Sequence, residues 1–269
     1  MSKKNSMISL NAAFRHEAIL KALHVGGHVS IPELAERFDV STVTIREDLK
    51  YLESRNMLKR TRGGAVSAKR RAREMPLEYT SKTNHAEKVA IGRRAAQMVQ
   101  DGQTVIIDVG GTTTQLAQAL PMELTHVTAI TNGLNIALIL ERLPGVTVVV
   151  TGGTLRPLQH SLVSPLGTML LERLNADIAF IGCNGIDPEK GVTNTNIAEA
   201  EIKQLMFRSA SQVVLLADSR KLNNVASAFV APISSADLLI TDSGADKSAL
   251  DDLRAMGLGI EVVVAEKEE

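Results

Sequence analysis

The chain of 269 residues has one cysteine, Cys183, no tryptophan, two tyrosines and five phenylalanines. A single cysteine excludes an internal disulfide, and none of the six histidines stands at metal-ligand spacing beside it, so no metal site is expected. No apolar run has the length of a signal-peptide core or a membrane span, which leaves the cytoplasm as the expected compartment and no membrane partner. Neither G-x-x-x-x-G-K-[ST] nor G-x-G-x-x-G occurs. The ATPase and dinucleotide readings lose their usual supports, and no cofactor is expected. Net charge is also missing: 30 basic residues balance 30 acidic ones.

That balance conceals a division. Residues 1–82 hold 16 Lys+Arg against 9 Asp+Glu, leaving 14 against 21 for the remainder. A basic head on an acidic body predicts that the head meets a polyanion.

The head carries three helical patterns. In "FRHEAILKAL", Phe14, Ala18, Ile19, Ala22 and Leu23 recur at spacings of three and four, as one apolar stripe requires. Ser30 is then placed to cap a second helix, with Pro32 in its first turn, Glu33 at the capping-box position, and Leu34, Ala35 and Phe38 facing inward. Ser41 caps a third helix, in which Val43, Ile45, Leu49 and Leu52, with Leu58 beyond, are expected inside. Ser41, Thr42, Thr44 and Arg46 stand at its leading end, where base edges and phosphates are reached. The segment "MLKRTRGGAV" predicts a β-hairpin wing that lays Lys59, Arg60 and Arg62 along the DNA backbone.

This head resembles the N-terminal domain of the DeoR family of bacterial transcriptional regulators. The pattern S-x-x-T-[IV]-R-x-D-L is met by Ser41, Thr44, Ile45, Arg46, Asp48 and Leu49, and the basic R-x-x-G-G-A wing by Arg60, Gly63, Gly64 and Ala65. Asp48 reads as a local helix partner rather than a base reader. The expected divisions are a winged helix-turn-helix domain over 1–67, a linker over 68–84 with Lys69, Arg70, Arg71 and Arg73, and a body over 85–269.

In the body seven apolar runs, "TVIID", "VTAIT", "VTVVVT", "DIAFIG", "QVVLLAD", "DLLIT" and "IEVVVA", alternate with helical segments. Such alternation predicts an α/β fold with a mainly parallel sheet, whose ligands bind beyond the carboxyl ends of the strands. Polar clusters fall there: Asp108, Gly110, Gly111, Thr112 and Thr113 in "DVGGTTT", Thr131 and Asn132, Gly152, Gly153 and Arg156, and Asn184. Glycine amides and hydroxyls opening a helix suit an anion. Further along, Glu199 and Lys203 share a helical face, where an ion pair between them is the plain structural alternative to a ligand role.

The body resembles the DeoR-family sensor domain, similar in fold to sugar-phosphate isomerases and deaminases. The family pattern D-x-G-[ST]-T is met by Asp108, Gly110 and Thr112, with Gly111 where a hydroxyl is usual; T-N by Thr131-Asn132; G-G-x-x-R by Gly152, Gly153 and Arg156; and N-x-x-E-A-x-x-K by Asn196, Glu199 and Lys203. The resemblance implies that Lys203 reaches a sugar phosphate and Glu199 holds it or a hydroxyl. The family's acid in G-A-D-G-I is Asn184 here, and an amide cannot serve as a general base. The expectation is therefore a regulator, not an enzyme: a repressor of a carbohydrate-catabolism operon that binds operator DNA as a dimer or tetramer and is released by a phosphorylated sugar. The alternative is a sugar-phosphate isomerase or deaminase with an accessory DNA-binding domain, for which Asp108, Asp187 and Glu199 are the available bases. A third reading is a DNA-architectural protein with a ligand-free body.

Overall fold

The computed structural model describes residues 12, 14–20, 22, 23, 28–55, 57–61, 63–67 and 76–266. The chain separates between Arg73 and Glu74 into two compact units.

In the first unit, helix α1 (14–20) precedes strand β1 (His28–Ser30), α2 (Ile31–Phe38), α3 (Thr42–Ser54), β2 (Leu58–Thr61) and β3 (Gly64–Ser67). The predicted caps form: Ser30 Oγ accepts from Glu33 N at 3.3 Å and Ser41 Oγ from Thr44 N at 3.1 Å. Between them α2 ends on Asp39, in the left-handed region at φ 50°. Strands β2 and β3 make the expected antiparallel hairpin, and β1, unforeseen, adds a third strand on the far side of β3. Ile19, Leu23, Leu34, Ile45, Leu49, Leu52 and Leu58 form the core. Two residues expected inside are not there. Val43 is 59% and Phe14 69% exposed. A residue two positions from Ile45 lies about 200° around a helix from it, and one five positions from Ile19 about 140°, so neither shares the buried stripe.

The second unit opens with α4 (Leu77–Lys82), a helix within the stretch read as linker. Its Leu77 is buried and donates its amide to Leu158 O at 2.9 Å. The basic run from Lys69 to Arg73 lies outside the described residues. Next come α5 (His85–Ala96), β4 (Thr104–Ile107), α6 (Gly111–Ala119), β5 (Val127–Thr131), α7 (Leu134–Leu140) and β6 (Val146–Val150). A hairpin of β7 (Thr154–Arg156) and β8 (Ser161–Val163) leads to α8 (Leu166–Leu171) and β9 (Ala176–Gly182). Then β10 (Gly185–Asp187), β11 (Gly191–Asn194), α9 (Ile197–Arg208), β12 (Ala210–Leu216), β13 (Ala228–Ala231), β14 (Leu238–Asp242), α10 (Lys247–Ala255) and β15 (Gly259–Val263) complete it.

All seven apolar runs become strands of one parallel sheet, in the order β15-β14-β12-β9-β4-β5-β6. Strand alternation divides its side chains between two cores. Ile106, Ile181 and Leu215 face Ile202 and Met206 of α9; Ile107, Phe180 and Leu216 face Leu116 of α6 and Ile91 of α5. Parallel strands covered on both faces read as continuous apolar runs, which is why the sequence pattern found them. From β4 the chain winds one way through β5 and β6 and later the other way through β9. The crevice between β4 and β9 at their carboxyl ends is thus the topological switch point. A small antiparallel sheet, β10-β11-β13, carries the approach to α9.

Candidate functional site

On the first unit the candidate surface is the leading end of α3. Thr42 and Arg46 are exposed, as expected. Thr44 is half-buried, and its hydroxyl lies 2.9 Å from Ser41 Oγ, so both side chains are engaged in capping the helix. Asp48 points inward and binds Arg15 Nε and His16 Nε2, each at 2.8 Å, which ties α3 to α1; its partners lie on another helix, which corrects the expectation of a local one. His16 in turn stacks on Tyr51 with ring centroids 4.7 Å apart. In the wing Lys59 is exposed, but Arg60, expected on a phosphate, donates from its side chain to Glu53 at 2.6 Å and from its main chain at 2.8 Å. Those bonds, the backbone one foremost, hold the Glu53 carboxyl below its usual range. Arg60 thus fastens the wing to the end of α3. Arg62 lies outside the described residues.

On the second unit the switch crevice gathers charge. Asp108, just past β4, is completely buried. Its Oδ2 accepts from Gly182 N at 3.0 Å and is ion-paired with Lys203 of α9, which also donates to Gly182 O at 2.9 Å. Burial raises the Asp108 pKa, against the pull of Lys203. Its other oxygen, Oδ1, has no partner among the described residues. Glu199, one turn before Lys203, is ion-paired with Arg156 of β7 and accepts from Ser161 Oγ at 2.5 Å and Asn194 Nδ2 at 3.1 Å. The alternative pairing of Glu199 with Lys203 along the helix does not occur. Each crosses instead to another element, so α9 closes the carboxyl edge with two separate ion pairs.

The DVGGTTT turn adjoins this cluster. Gly110 stands at the N-cap of α6 and no side chain caps the helix, so its leading amides are open to an acceptor. Thr113 and Thr114 turn their hydroxyls back onto Gly110 O, at 3.0 and 2.6 Å. Thr114 Oγ1 also accepts from Asn135 Nδ2 at 2.8 Å, and Asn135 Oδ1 is buried without a partner among the described residues.

The remaining expected ligands have scaffold work. Asn132 Oδ1 accepts from Val109 N at 2.9 Å and Thr131 Oγ1 from Gly133 N at 3.0 Å; both residues are buried. Gly152 and Gly153 take φ of 73° and 118°, and a Cβ on Gly153 would stand 2.0 Å from Val163 O. Asn184 Oδ1 accepts from Thr195 N at 3.0 Å, which sets the strand leading into α9, and Asp187 caps its own turn through Glu189 N and Lys190 N. Cys183 is held protonated by burial, with its pKa pushed up to about 11.

One residue went unnoticed in the sequence. Lys88 of α5 is only 5% exposed and donates to Thr80 O at the end of α4. A Cβ built on Gly111 would lie 3.3 Å from Lys88 Nζ and 3.2 Å from Ser81 Oγ, which is the space a hydroxyl side chain at that position would need. Burial lowers the Lys88 pKa to about 8, opposed by Asp218. Asp218 itself is subject to burial, which raises it, but Arg220, Lys221 and Lys88 hold it below its usual value. The signal was available: Lys88 shares the spacing of Ile91, Gly92 and Ala95, the buried stripe of α5.

A helix-turn-helix head with a basic wing, joined to a parallel α/β domain with charge collected at its switch point, defines a DNA-binding regulator with a sensing domain. The comparisons agree. A model of the DeoR-like helix-turn-helix domain matches residues 15–71, and a model of the DeoR C-terminal sensor domain matches residues 83–243. This chain belongs to the DeoR family of transcriptional regulators. It is 34% identical to the HTH-type transcriptional regulator GolR of Listeria innocua, over 92% of this chain and 97% of that one. It is 33% identical to a putative aga operon transcriptional repressor of Escherichia coli O157:H7 (93% of each) and to the HTH-type transcriptional repressor GlcR of Bacillus subtilis (94% and 96%). Among solved structures, ribose 5-phosphate isomerase A of Methanocaldococcus jannaschii is similar at a TM-score of 0.39 and 18% identity, over 51% of this chain and 54% of that one.

Proposed function

We propose that this regulator is a repressor released from its operator by a phosphorylated sugar bound at the switch crevice. The observation that carries the reading is the pairing of two opposite needs at one sheet edge. The open amides of α6 and the Lys88 ammonium call for an anion, while the unpartnered Asp108 Oδ1 calls for a hydroxyl donor. A sugar phosphate supplies both. Arg156 and Lys203, already bound to carboxylates, orient those acids toward sugar hydroxyls. Two of the three relatives above are named repressors. Repeated half-sites call for symmetric heads, so the chain acts as a dimer or tetramer. A ligand can release DNA only by unequal affinity for the two arrangements of those heads.

The test is a thermal-shift panel of ribose 5-phosphate, glucose 6-phosphate, glucosamine 6-phosphate and fructose 1-phosphate against inorganic phosphate, with hits returned to the operator complex. A hit at one hundred times its Kd stabilises by about 2.7 kcal/mol and dissociates the complex. A panel with no shift defeats the effector reading. Substitutions divide the two halves: Arg46→Ala weakens binding to operator and unrelated DNA alike and keeps the shift, while Arg156→Lys keeps operator affinity and loses about tenfold or more in sugar-phosphate affinity, because a point charge replaces a fork.

The pH dependence follows from Lys88. Its folded pKa of about 8 lies below the ordinary 10.5, so its burial penalty is full below pH 8 and is relieved as pH rises toward 10.5. The ligand-free protein gains stability across that window. Sugar-phosphate affinity moves the opposite way, since the phosphate is already a dianion and the ammonium is being lost. Calorimetric titration from pH 7 to 9.5 checks this, and a flat profile removes Lys88 from the anion site.

A further inference from the structure

The centre of the outward face of α3 is not where Thr42 and Thr44 stand. With Thr42 set at 0° and about 100° added per residue, the inward residues Ile45, Asp48, Leu49 and Leu52 cluster about a direction near 290°. The opposite direction, near 110°, falls on Val43 at about 100°, Glu47 at about 140° and Lys50 at about 80°. All three are exposed. Thr44 lies about 90° off that centre and has its hydroxyl against Ser41 Oγ; Thr42 is about 110° off. Arg46, about 70° off, flanks the stripe.

We propose that Val43 and Glu47 are the base-reading pair of this helix: Val43 packs its methyl groups on the 5-methyl of a thymine, and Glu47 accepts from the exocyclic amino group of a cytosine. The inference rests on α3 being the helix that enters the major groove. A β-branched apolar side chain exposed in the first turn of such a helix faces one apolar group in the groove, the thymine methyl. A carboxylate beside a polyanion needs a donor, and cytosine presents one without an adjacent acceptor, whereas adenine sets N7 next to its amino group. Val43 and Glu47 are four residues apart, about 6 Å along the axis, so the two bases lie one or two steps apart. Lys50 and Arg46, both on the Val43 side of the pair at about 80° and 40°, meet the phosphates that hold the helix in register.

The experiment begins with selection of the preferred duplex by the full-length wild-type chain from a randomised pool. Each thymine of a half-site is then replaced singly by deoxyuridine, which removes only the methyl, and each cytosine by the other bases. One dT→dU replacement should weaken wild type about fourfold, the factor one buried methyl carries, and should leave Val43→Ala unaffected. Glu47→Ala should lose about tenfold or more of the discrimination for cytosine at one position while its affinity for unrelated DNA holds or rises. Both positions are exposed, so the variants melt with wild type. If every deoxyuridine is silent for wild type, or Val43→Ala and Glu47→Ala select the wild-type sequence with undiminished preference, the pair does not read bases although the head still binds DNA. If no sequence is enriched at all, the operator reading fails first and this proposal with it.

Discussion

Replacing Lys203 by methionine lowers the unfolding free energy by about 3–5 kcal/mol, the loss that accompanies removal of one partner from a buried ion pair. At roughly 2–4 °C per kcal/mol for a domain of this size, the melting temperature falls on the order of 10 °C. The size comes from Asp108. Its carboxyl is 0% exposed, and Lys203 is 3% exposed. Two influences from Lys203, charge and hydrogen bond, hold the carboxyl's pKa down against burial, while Glu199 adds to the rise. Without the ammonium, Asp108 takes up a proton. An acid whose folded pKa is raised gives the folded state more bound protons than the unfolded chain, so stability falls as pH rises through that interval and returns as pH falls. The Lys203→Met variant is therefore weakest above neutrality and recovers in acid. Asp108→Asn in the same background removes the buried charge, recovers most of the lost stability and abolishes the pH dependence. Urea unfolding of the two single variants and the double variant between pH 5 and 8 measures the coupling. If the double variant is no more stable than Lys203→Met at pH 8, Asp108 is not the residue Lys203 neutralises.

The same pair shows where sequence reasoning stops. Family resemblance implied that the DVGGTTT turn and Lys203 lie at one sheet edge. It did not imply that Lys203 meets Asp108, because the contact spans 95 positions and depends on β9 lying beside β4. The alternative reading, a Glu199–Lys203 pair on one helical face, obeyed local spacing and lost to Asp108, just past β4, and Arg156 of β7. Regular burial was legible: seven strands and their intervening helices announced themselves because each buries a continuous or periodic apolar surface. Strands β7, β8, β10, β11 and β13, three or four residues long, carry no usable period. Lys88 was missed because a lysine suggests solvent, although its spacing placed it on a buried stripe. Val43 was misplaced by composition overriding geometry: an apolar residue was put inside although its angle on α3 forbids it.

Of the two adjacent glycines in the wing, Gly64→Ala cripples the head and Gly63→Ala does not. A Cβ built on Gly64 stands 1.8 Å from Val29 O, 2.9 Å from Val29 C and 3.0 Å from Ser30 Cα, all main-chain atoms that cannot swing aside. Gly64 pairs with Ser30 on one side and Thr61 on the other, so relief requires β1 and β3 to part. Strand β1 ends on Ser30, the N-cap of α2, and its displacement disturbs the packing of α2 on α3. Overpacking a main-chain contact costs on the order of 3 kcal/mol or more, a large share of what a head of this size has. Gly63 has nothing within 4 Å of an added Cβ; it gives only its carbonyl oxygen to Ile31 N at 2.9 Å, which alanine does equally well. Calorimetry of the full chain should show the head's transition lowered by roughly 10 °C or more in Gly64→Ala and within a degree or two of wild type in Gly63→Ala. Operator affinity should follow the same division. Because neither glycine has a positive φ, backbone strain cannot account for the difference. Equal stability of the two variants would mean that the main-chain contact of β3 with β1 does not exclude a side chain at position 64.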